Sequence, residues 1–190
     1  MEEFRAITDK IQHFTDYGLD IGYFSSGTTT DFAYGRLGAA GLAFELGYDF
    51  YELCDTFEDL ILQKNLKALK YLAKISKAPF SIAKGPDVTT LTTTMNGSTL
   101  TVKATASDSA LSYGKIRSSK QGVREVRVFV NTHPYSLPQI NASTGYVLKS
   151  GTAVINVSNL ASGSRNVVYV QAEDTAGYRG PVTAAYFIRK

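Results

Sequence analysis

Residues 38–45 read Gly-Ala-Ala-Gly-Leu-Ala-Phe-Glu, a run of small and apolar side chains that ends in a carboxylate. A run without polar alternation is typical of a strand buried on both faces of an α/β sheet. Its last residue, Glu45, is then expected at the end of a buried strand, where α/β sheets place their chemistry. The alternative is that Glu45 faces solvent or pairs with a nearby lysine. The stretch predicts an α/β fold for the first part of the chain.

Two amphipathic helices flank this stretch. The first is predicted over residues 2–17, ending before Gly18, with an apolar stripe made of Phe4, Ile7, Ile11 and Phe14. The second is predicted over residues 56–76, and Asp55 with Glu58 resembles a capping box at its start. The buried stripe expected on this second helix consists of Phe57, Leu60, Ile61, Leu66, Leu69, Leu72 and Ala73.

The second part of the chain has an all-β pattern. Apolar residues alternate with polar ones in four segments, which contain Leu100-Val102-Ala104-Ala106, Val126-Val128-Val130, Val168-Val170-Ala172 and Val182-Ala184-Tyr186-Ile188. Weaker strands fit residues 88–95, 145–149 and 152–157. Asn96-Gly97 predicts a type I′ hairpin turn. The spacing favours an antiparallel sandwich of immunoglobulin or fibronectin III character.

Charge divides the chain at the same place as texture. The 190 residues carry 20 Lys+Arg and 17 Asp+Glu, a net +3. Residues 1–78 hold 12 acids and 8 bases (net −4), and residues 79–190 hold 5 acids and 12 bases (net +7). We therefore predict two domains, 1–78 and 79–190, with a linker near residues 78–86. Cys54 is the single cysteine, which excludes an intrachain disulfide and a CxxC site, and no apolar run approaches the ~20 residues that span a bilayer.

Residues 17–50 resemble the C-terminal part of the catalytic domain of the zinc carboxypeptidases, the carboxypeptidase A-like metallopeptidases. The matching motifs are Tyr23-Phe24-Ser25-Ser26-Gly27-Thr28, Asp31-Phe32-Ala33-Tyr34-Gly35 and Phe44-Glu45-Leu46, in family order and at family spacing. The helix that follows looks like the one that closes bacterial members. The resemblance implies that residues 1–78 are the end of a mixed-sheet α/β/α domain, followed by an accessory β-sandwich.

The resemblance implies roles for three residues. Glu45 matches the catalytic glutamate, which takes a proton from zinc-bound water and delivers it to the leaving amine. Tyr23 matches the mobile tyrosine that caps the site and hydrogen-bonds the peptide substrate. Thr30 matches the floor of the side-chain pocket, where threonine sets neither a basic nor an aromatic preference. Asp31 is expected to be structural, as a helix N-cap, rather than a substrate ligand.

The chain departs from the family at the metal. The family binds zinc through an HxxE pair and a distant third histidine, whereas His13 and His133 are followed by no such glutamate. His13 is expected to be exposed and His133 to lie in a loop, and Arg36 does not match the family's carboxylate-binding arginines. We therefore expect zinc in the complete enzyme, none bound by this chain alone, and no peptide hydrolysis without a missing N-terminal part. Met1 is expected to begin inside a larger domain, with peptide C-termini as substrates of the complete enzyme.

A non-catalytic binding module is the alternative function. The basic run Lys115, Arg117, Lys120, Arg124 and Arg127 would face an acidic glycan or an anionic cell surface. No aromatic stacking motif accompanies this run, so a nucleic-acid partner is not expected. The family resemblance implies secretion, although no signal peptide is visible.

Overall fold

The computed structural model describes residues 2–18, 26–109, 121–137 and 144–190. The chain divides into two compact units, and their boundary in sequence lies between Ala83 and Lys84. This position falls within the 78–86 segment in which charge and texture change. The first unit is helical and the second is built from antiparallel sheets.

The first unit packs its helices around α1. Its elements are α1 (Glu2–Thr15), α2 (Thr29–Leu37), α3 (Cys54–Thr56), a π-helical segment (Phe57–Leu62), α4 (Gln63–Ile75) and α5 (Pro79–Ile82). α1 packs against α4 and α5, and Ile7 and Ile11 of its predicted stripe are buried. Edge-on aromatic contacts of Phe4 with Tyr34 and Phe80, at 5.2 and 5.3 Å between ring centroids, support this packing.

The predicted helix ends need correction. α1 ends at Thr15, and Asp16 takes the left-handed conformation (φ 62°) that was expected of Gly18. α3 begins at Cys54 after Leu53, which forms no side-chain cap. Asp55 therefore lies inside the helix, two positions after the N-cap, and the predicted Asp55–Glu58 capping box is wrong.

The helical run from α3 to α4 buries a different face from the one predicted. Its buried residues are Ile61, Asn65, Ala68, Tyr71 and Ile75. Of the expected stripe only Ile61 is buried, and Phe57, Leu60, Leu66 and Leu69 are exposed. Apolar residues surround much of this helix, so sequence periodicity alone could not decide which face meets α1.

The strand predicted at residues 38–44 is not formed. α2 occupies residues 29–37, and Gly38 ends it in the left-handed conformation (φ 64°), where its N–H donates to Tyr34 O and the N–H of Ala39 donates to Ala33 O. Residues 39–46 follow as an irregular segment. A strand needs a hydrogen-bonded neighbour, and residues 2–18 and 26–83 contain no other strand.

The second unit consists of two antiparallel sheets that share one apolar core. Its strands are β1 (Asp87–Asn96), β2 (Thr99–Ser107), β3 (Val123–Val130), β4 (Tyr146–Val147), β5 (Thr152–Asn156), β6 (Arg165–Asp174) and β7 (Thr183–Ile188). One sheet has the order β1-β2-β5 and the other β4-β3-β6-β7. The core between them contains Leu100, Val102, Ala104, Val128, Ala153, Ile155, Val157, Val168, Val170 and Phe187.

Two details of the β prediction are wrong. Asn96 pairs with Thr99, so the hairpin loop is Gly97-Ser98, and of these two residues Gly97 alone has a positive φ (54°). This pattern is that of a type II′ turn rather than type I′. On β7 the alternating residues Tyr186 and Ile188 are about 60% exposed, and Phe187 between them is buried, because the pleat turns Phe187 toward the core.

Candidate functional site

Glu45, the predicted catalytic residue, lies in the irregular segment 39–46 and its side chain is exposed. It accepts no hydrogen bond from the part of the chain that the structure describes. The expected position at the end of a buried strand is therefore wrong, because the strand itself is absent. The carboxylate is accessible to solvent, as in the alternative considered for this residue.

Thr30, the predicted pocket residue, lies in the first turn of α2. Thr28 caps this helix: its Oγ1 accepts from Asp31 N at 3.2 Å, and Asp31 Oδ2 accepts from Thr28 N at 3.3 Å. Asp31 is thus structural, as expected, but it occupies position N3 of the capping box, and Thr28 is the N-cap. The hydroxyl of Thr30 shares a 2.7 Å hydrogen bond with that of Thr28.

The structure brings Thr30 next to the segment that leads to Glu45. A Cβ atom added to Gly41 would lie 2.8 Å from Thr30 O and 2.9 Å from Thr30 Cα. Only a residue without a side chain permits this approach. Two of the three predicted site residues therefore lie on neighbouring segments of one unit, and the third, Tyr23, lies outside the described residues.

Tyr17 holds the end of this segment against the long helix. Its hydroxyl accepts from Asn65 Nδ2 at 2.7 Å and from Gly47 N at 3.2 Å. Asn65 is buried and also donates to Ile61 O at 2.9 Å. The hydroxyl therefore positions residues 45–47 relative to α4. Nothing in the sequence pattern distinguishes Tyr17 from the eleven other tyrosines, so sequence reasoning missed it.

A tight turn closes the segment after Gly47. Glu52 Oε1 accepts from the N–H groups of Tyr48 and Asp49, and Gly47 has a φ of 86°. A Cβ atom on Gly47 would lie 2.5 Å from Glu52 Oε1. Glycine at this position thus satisfies both the backbone conformation and the approach of the carboxylate.

The described residues do not fit a zinc ion. None of them form a cluster of three or more histidine, cysteine, aspartate or glutamate side chains suited to a metal. His13 is exposed near the end of α1, in the first unit. His133 belongs to the second unit, where its Nδ1 accepts from Tyr135 N at 3.2 Å and its ring contacts the Tyr169 ring edge-on.

The arginines of the predicted basic face have acidic partners. Arg124 forms an ion pair with Glu173, and Arg127 with Glu125. Arg127 also donates to Thr144 O at 2.6 Å. Lys115, Arg117 and Lys120 lie outside the described residues. In the described part of the run, each arginine thus forms an ion pair, and Glu173 is shared with Arg179.

The first unit exposes an apolar surface that the sequence analysis did not anticipate. Its large hydrophobic side chains with at least a third of their area exposed are Phe32, Tyr34, Leu37, Leu46, Tyr48, Phe50, Tyr51, Leu53, Phe57, Leu60, Leu62, Leu66 and Leu69. We refer to these residues as the exposed apolar set. They lie on α2, on the loop that follows Glu45 and on the helical run up to α4. Single exposed hydrophobic residues are ordinary, but a set of this size in one small unit is unusual.

Among the helices that the structure describes, none combines the length and apolarity required to cross a bilayer.

No protein-family model matches the chain, and no curated protein matches it significantly. Among solved structures, the chain is similar to the spore cortex lytic enzyme SleM of Clostridium perfringens, at 20% identity and a TM-score of 0.37, over 53% of this chain and 27% of SleM. It is also similar to the PKD1 domain of Vibrio anguillarum Epp, at 8% identity and a TM-score of 0.35, over 55% of this chain and 92% of that domain. Both TM-scores are low, so neither likeness assigns a function.

Proposed function

We propose that the first unit is the C-terminal part of a zinc carboxypeptidase catalytic domain, and that it acts on peptide C-termini only together with a polypeptide that supplies the metal ligands. The observation that carries this proposal is the exposed apolar set in the same unit as an accessible Glu45. A segment as apolar as residues 38–44 is expected to be covered on both faces. The order of the motifs around Glu45 supports the family.

The contribution that we assign to this chain is confined to its own residues. The carboxylate of Glu45 would accept and return a proton as general base and acid. Thr30 would line the side-chain pocket, next to the Gly41 segment, and Tyr23 would cap the substrate. The described residues do not fit zinc, so the metal and its chemistry would belong to the complementary polypeptide. The complete enzyme would be secreted or extracellular.

A complementation assay tests this proposal. The chain is mixed with the N-terminal part of a zinc carboxypeptidase that carries the HxxE pair and the third histidine, and release of the C-terminal amino acid from a blocked dipeptide is measured with zinc present. We expect no release by either component alone and release by the mixture. Glu45→Gln should lower the rate of the mixture by about a thousandfold, whereas Glu58→Gln, an exposed helical glutamate in the same unit, should leave it unchanged.

Three results would contradict the proposal. The first is an unchanged rate for Glu45→Gln in a mixture that hydrolyses the peptide. The second is a mixture that forms a stable zinc-loaded complex and releases no amino acid. A mixture that forms no complex would show that the exposed apolar set does not receive this polypeptide, and would contradict it as well.

We further propose that the second unit is an accessory sandwich of immunoglobulin or fibronectin III type. The division of strands supports this assignment, because the first, second and fifth strands form one sheet and the third, fourth, sixth and seventh form the other. The alternative of a binding module acting through a basic face has less support, since Arg124 and Arg127 each form an ion pair with a carboxylate. Retention of the full chain on heparin that does not change with salt concentration would agree with this assignment. Retention that falls as the salt concentration rises would favour the basic face.

A further inference from the structure

The backbone of residues 40–46 is unpaired in the described structure. Ala39 N donates to Ala33 O before this segment, and Gly47 N donates to Tyr17 Oη after it. Between these two positions no backbone N–H or C=O forms a hydrogen bond within the described part of the chain. Open backbone groups on an apolar segment are a template for strand addition.

The segment is covered at one position and exposed at others. Gly41 packs against the backbone of Thr30, in the first turn of α2. The side chains of Ala43 and Leu46 are exposed. Its side chains are small or apolar and carry no charge before Glu45, so neither bulk nor repulsion prevents another strand from approaching.

The exposed apolar set is large enough to form a stable interface. Its six aromatic residues, Phe32, Tyr34, Tyr48, Phe50, Tyr51 and Phe57, are between 44% and 103% exposed. At about 200 Å² for each aromatic side chain, they alone offer roughly 800 Å². That is about the area that each partner buries in a standard protein–protein interface.

We propose that, in solutions of this chain alone, the exposed apolar set is the interface between two copies, and that residues 40–46 of the two copies pair as antiparallel strands. A two-fold axis perpendicular to a pair of identical strands relates them so that they run in opposite directions. An antiparallel pair is therefore self-complementary. The exposed apolar set of one copy then covers the same set of the other copy. This inference needs only the surface and the unpaired backbone, and it stands or falls independently of the carboxypeptidase proposal.

Sedimentation equilibrium and light scattering of the full chain, from about 1 to 100 µM, test the inference. We expect a mass of twice the 20.7 kDa of one chain at the upper concentrations. The double variant Phe50→Ser with Tyr51→Ser removes apolar area without touching the core and should raise the dissociation constant by about a hundredfold or more, because each change counts twice in a symmetric pair. The double variant Tyr186→Ser with Ile188→Ser removes exposed apolar area from the second unit and should have no effect.

Ala43→Pro tests the strand pairing itself. Proline removes one of the backbone N–H groups that would pair with the second copy, so the variant should weaken association by about tenfold or more. Its circular dichroism and thermal transition at low concentration serve as the check that it folds. A chain that stays monomeric at about 100 µM would overturn the inference, and so would a dimer that the Phe50/Tyr51 variant leaves intact. A monomer that binds the N-terminal part of a zinc carboxypeptidase would assign the surface to that partner instead. A dimer sensitive to Phe50/Tyr51 but indifferent to Ala43→Pro would retain the surface and refute the strand pairing.

Discussion

Replacing Tyr17 with phenylalanine removes a hydroxyl that connects the segment after Glu45 to the long helix. The variant keeps the ring and its packing, so the change is confined to two hydrogen bonds, from Asn65 Nδ2 at 2.7 Å and from Gly47 N at 3.2 Å. The two donors differ in what they lose. Asn65 is 7% exposed but keeps its bond to Ile61 O, whereas water can replace the partner of the more exposed Gly47 N–H.

The expected cost follows from these partners. A typical hydrogen bond contributes about 1 kcal/mol net, and a buried donor that loses a partner costs somewhat more. Because Asn65 Nδ2 retains one acceptor, we expect Tyr17→Phe to lower the free energy of unfolding of the first unit by about 1–2 kcal/mol. The loss should be concentrated at residues 45–47, since Tyr17 holds them against α4.

Amide hydrogen exchange of the full chain, followed with urea unfolding at low concentration, measures both effects. Exchange of the Gly47 amide should accelerate by about tenfold or more, while amides of β6 should be unaffected. Tyr51→Phe is the matched control, because Tyr51 is 96% exposed and its hydroxyl contacts no described hydrogen-bond partner. Equal exchange at Gly47 in wild type and Tyr17→Phe would refute the positioning role of this hydroxyl.

Three further predictions concern stability. Gly180→Ala should destabilise the second unit by about 3 kcal/mol in urea unfolding, because the added Cβ would lie 1.8 Å from Pro86 O and backbone would have to move. Burial raises the pKa of Tyr135 from 10.0 to about 12. This group therefore stabilises the fold below pH 10, and its contribution is lost as pH rises through 12. The stability advantage of wild type over Tyr135→Phe should shrink by about 1 kcal/mol across that window, after allowance for partial exposure. Thr28→Ala should cost about 1 kcal/mol and speed exchange of the Asp31 amide, which loses its capping acceptor.

Each of these three predictions has its own control. Gly163→Ala tests Gly180, because a Cβ on Gly163 would meet nothing within 4 Å, although its φ of 76° carries a backbone cost of its own. Wild type and Tyr135→Phe compared between about pH 7 and 9 provide the control for Tyr135, because their difference in stability should stay constant below the window. Thr29→Ala changes an exposed threonine in the same turn without removing a cap. Equal effects of target and control would contradict the stated cause in each case.

The β-strands were largely predictable because their burial is encoded residue by residue. Leu100, Val102, Val168 and Val170 alternate in sequence and are buried in the structure, since a strand turns successive side chains to opposite faces. The exception is β7, where both sets of alternating positions are apolar. There Phe187 packs into the core, and the alternation in the sequence did not indicate which set of side chains would be buried.

The sequence singled out candidate site residues but not their geometry. The motifs singled out Thr30 and Glu45, and the close approach of Gly41 to Thr30 places their segments together. The strand that was to carry Glu45 is absent, because strand formation depends on a neighbouring strand that the first unit lacks in its described part. Tyr17 escaped notice for a related reason: its two donors come from Gly47 and Asn65, which only folding brings near it.

By itself, the sequence determined the division into an acidic helical part and a basic β part, the hairpin at Gly97, and the apolar character of residues 38–44, because propensity, charge and hydrophobic period are local properties. Only the tertiary structure decided which face of the long helix is buried, that the backbone of residues 40–46 has no partner among the described residues, and that Arg124 and Arg127 form ion pairs with Glu173 and Glu125. These outcomes depend on partners distant in the chain or across a sheet, and pairing between such partners is a property of the packed molecule.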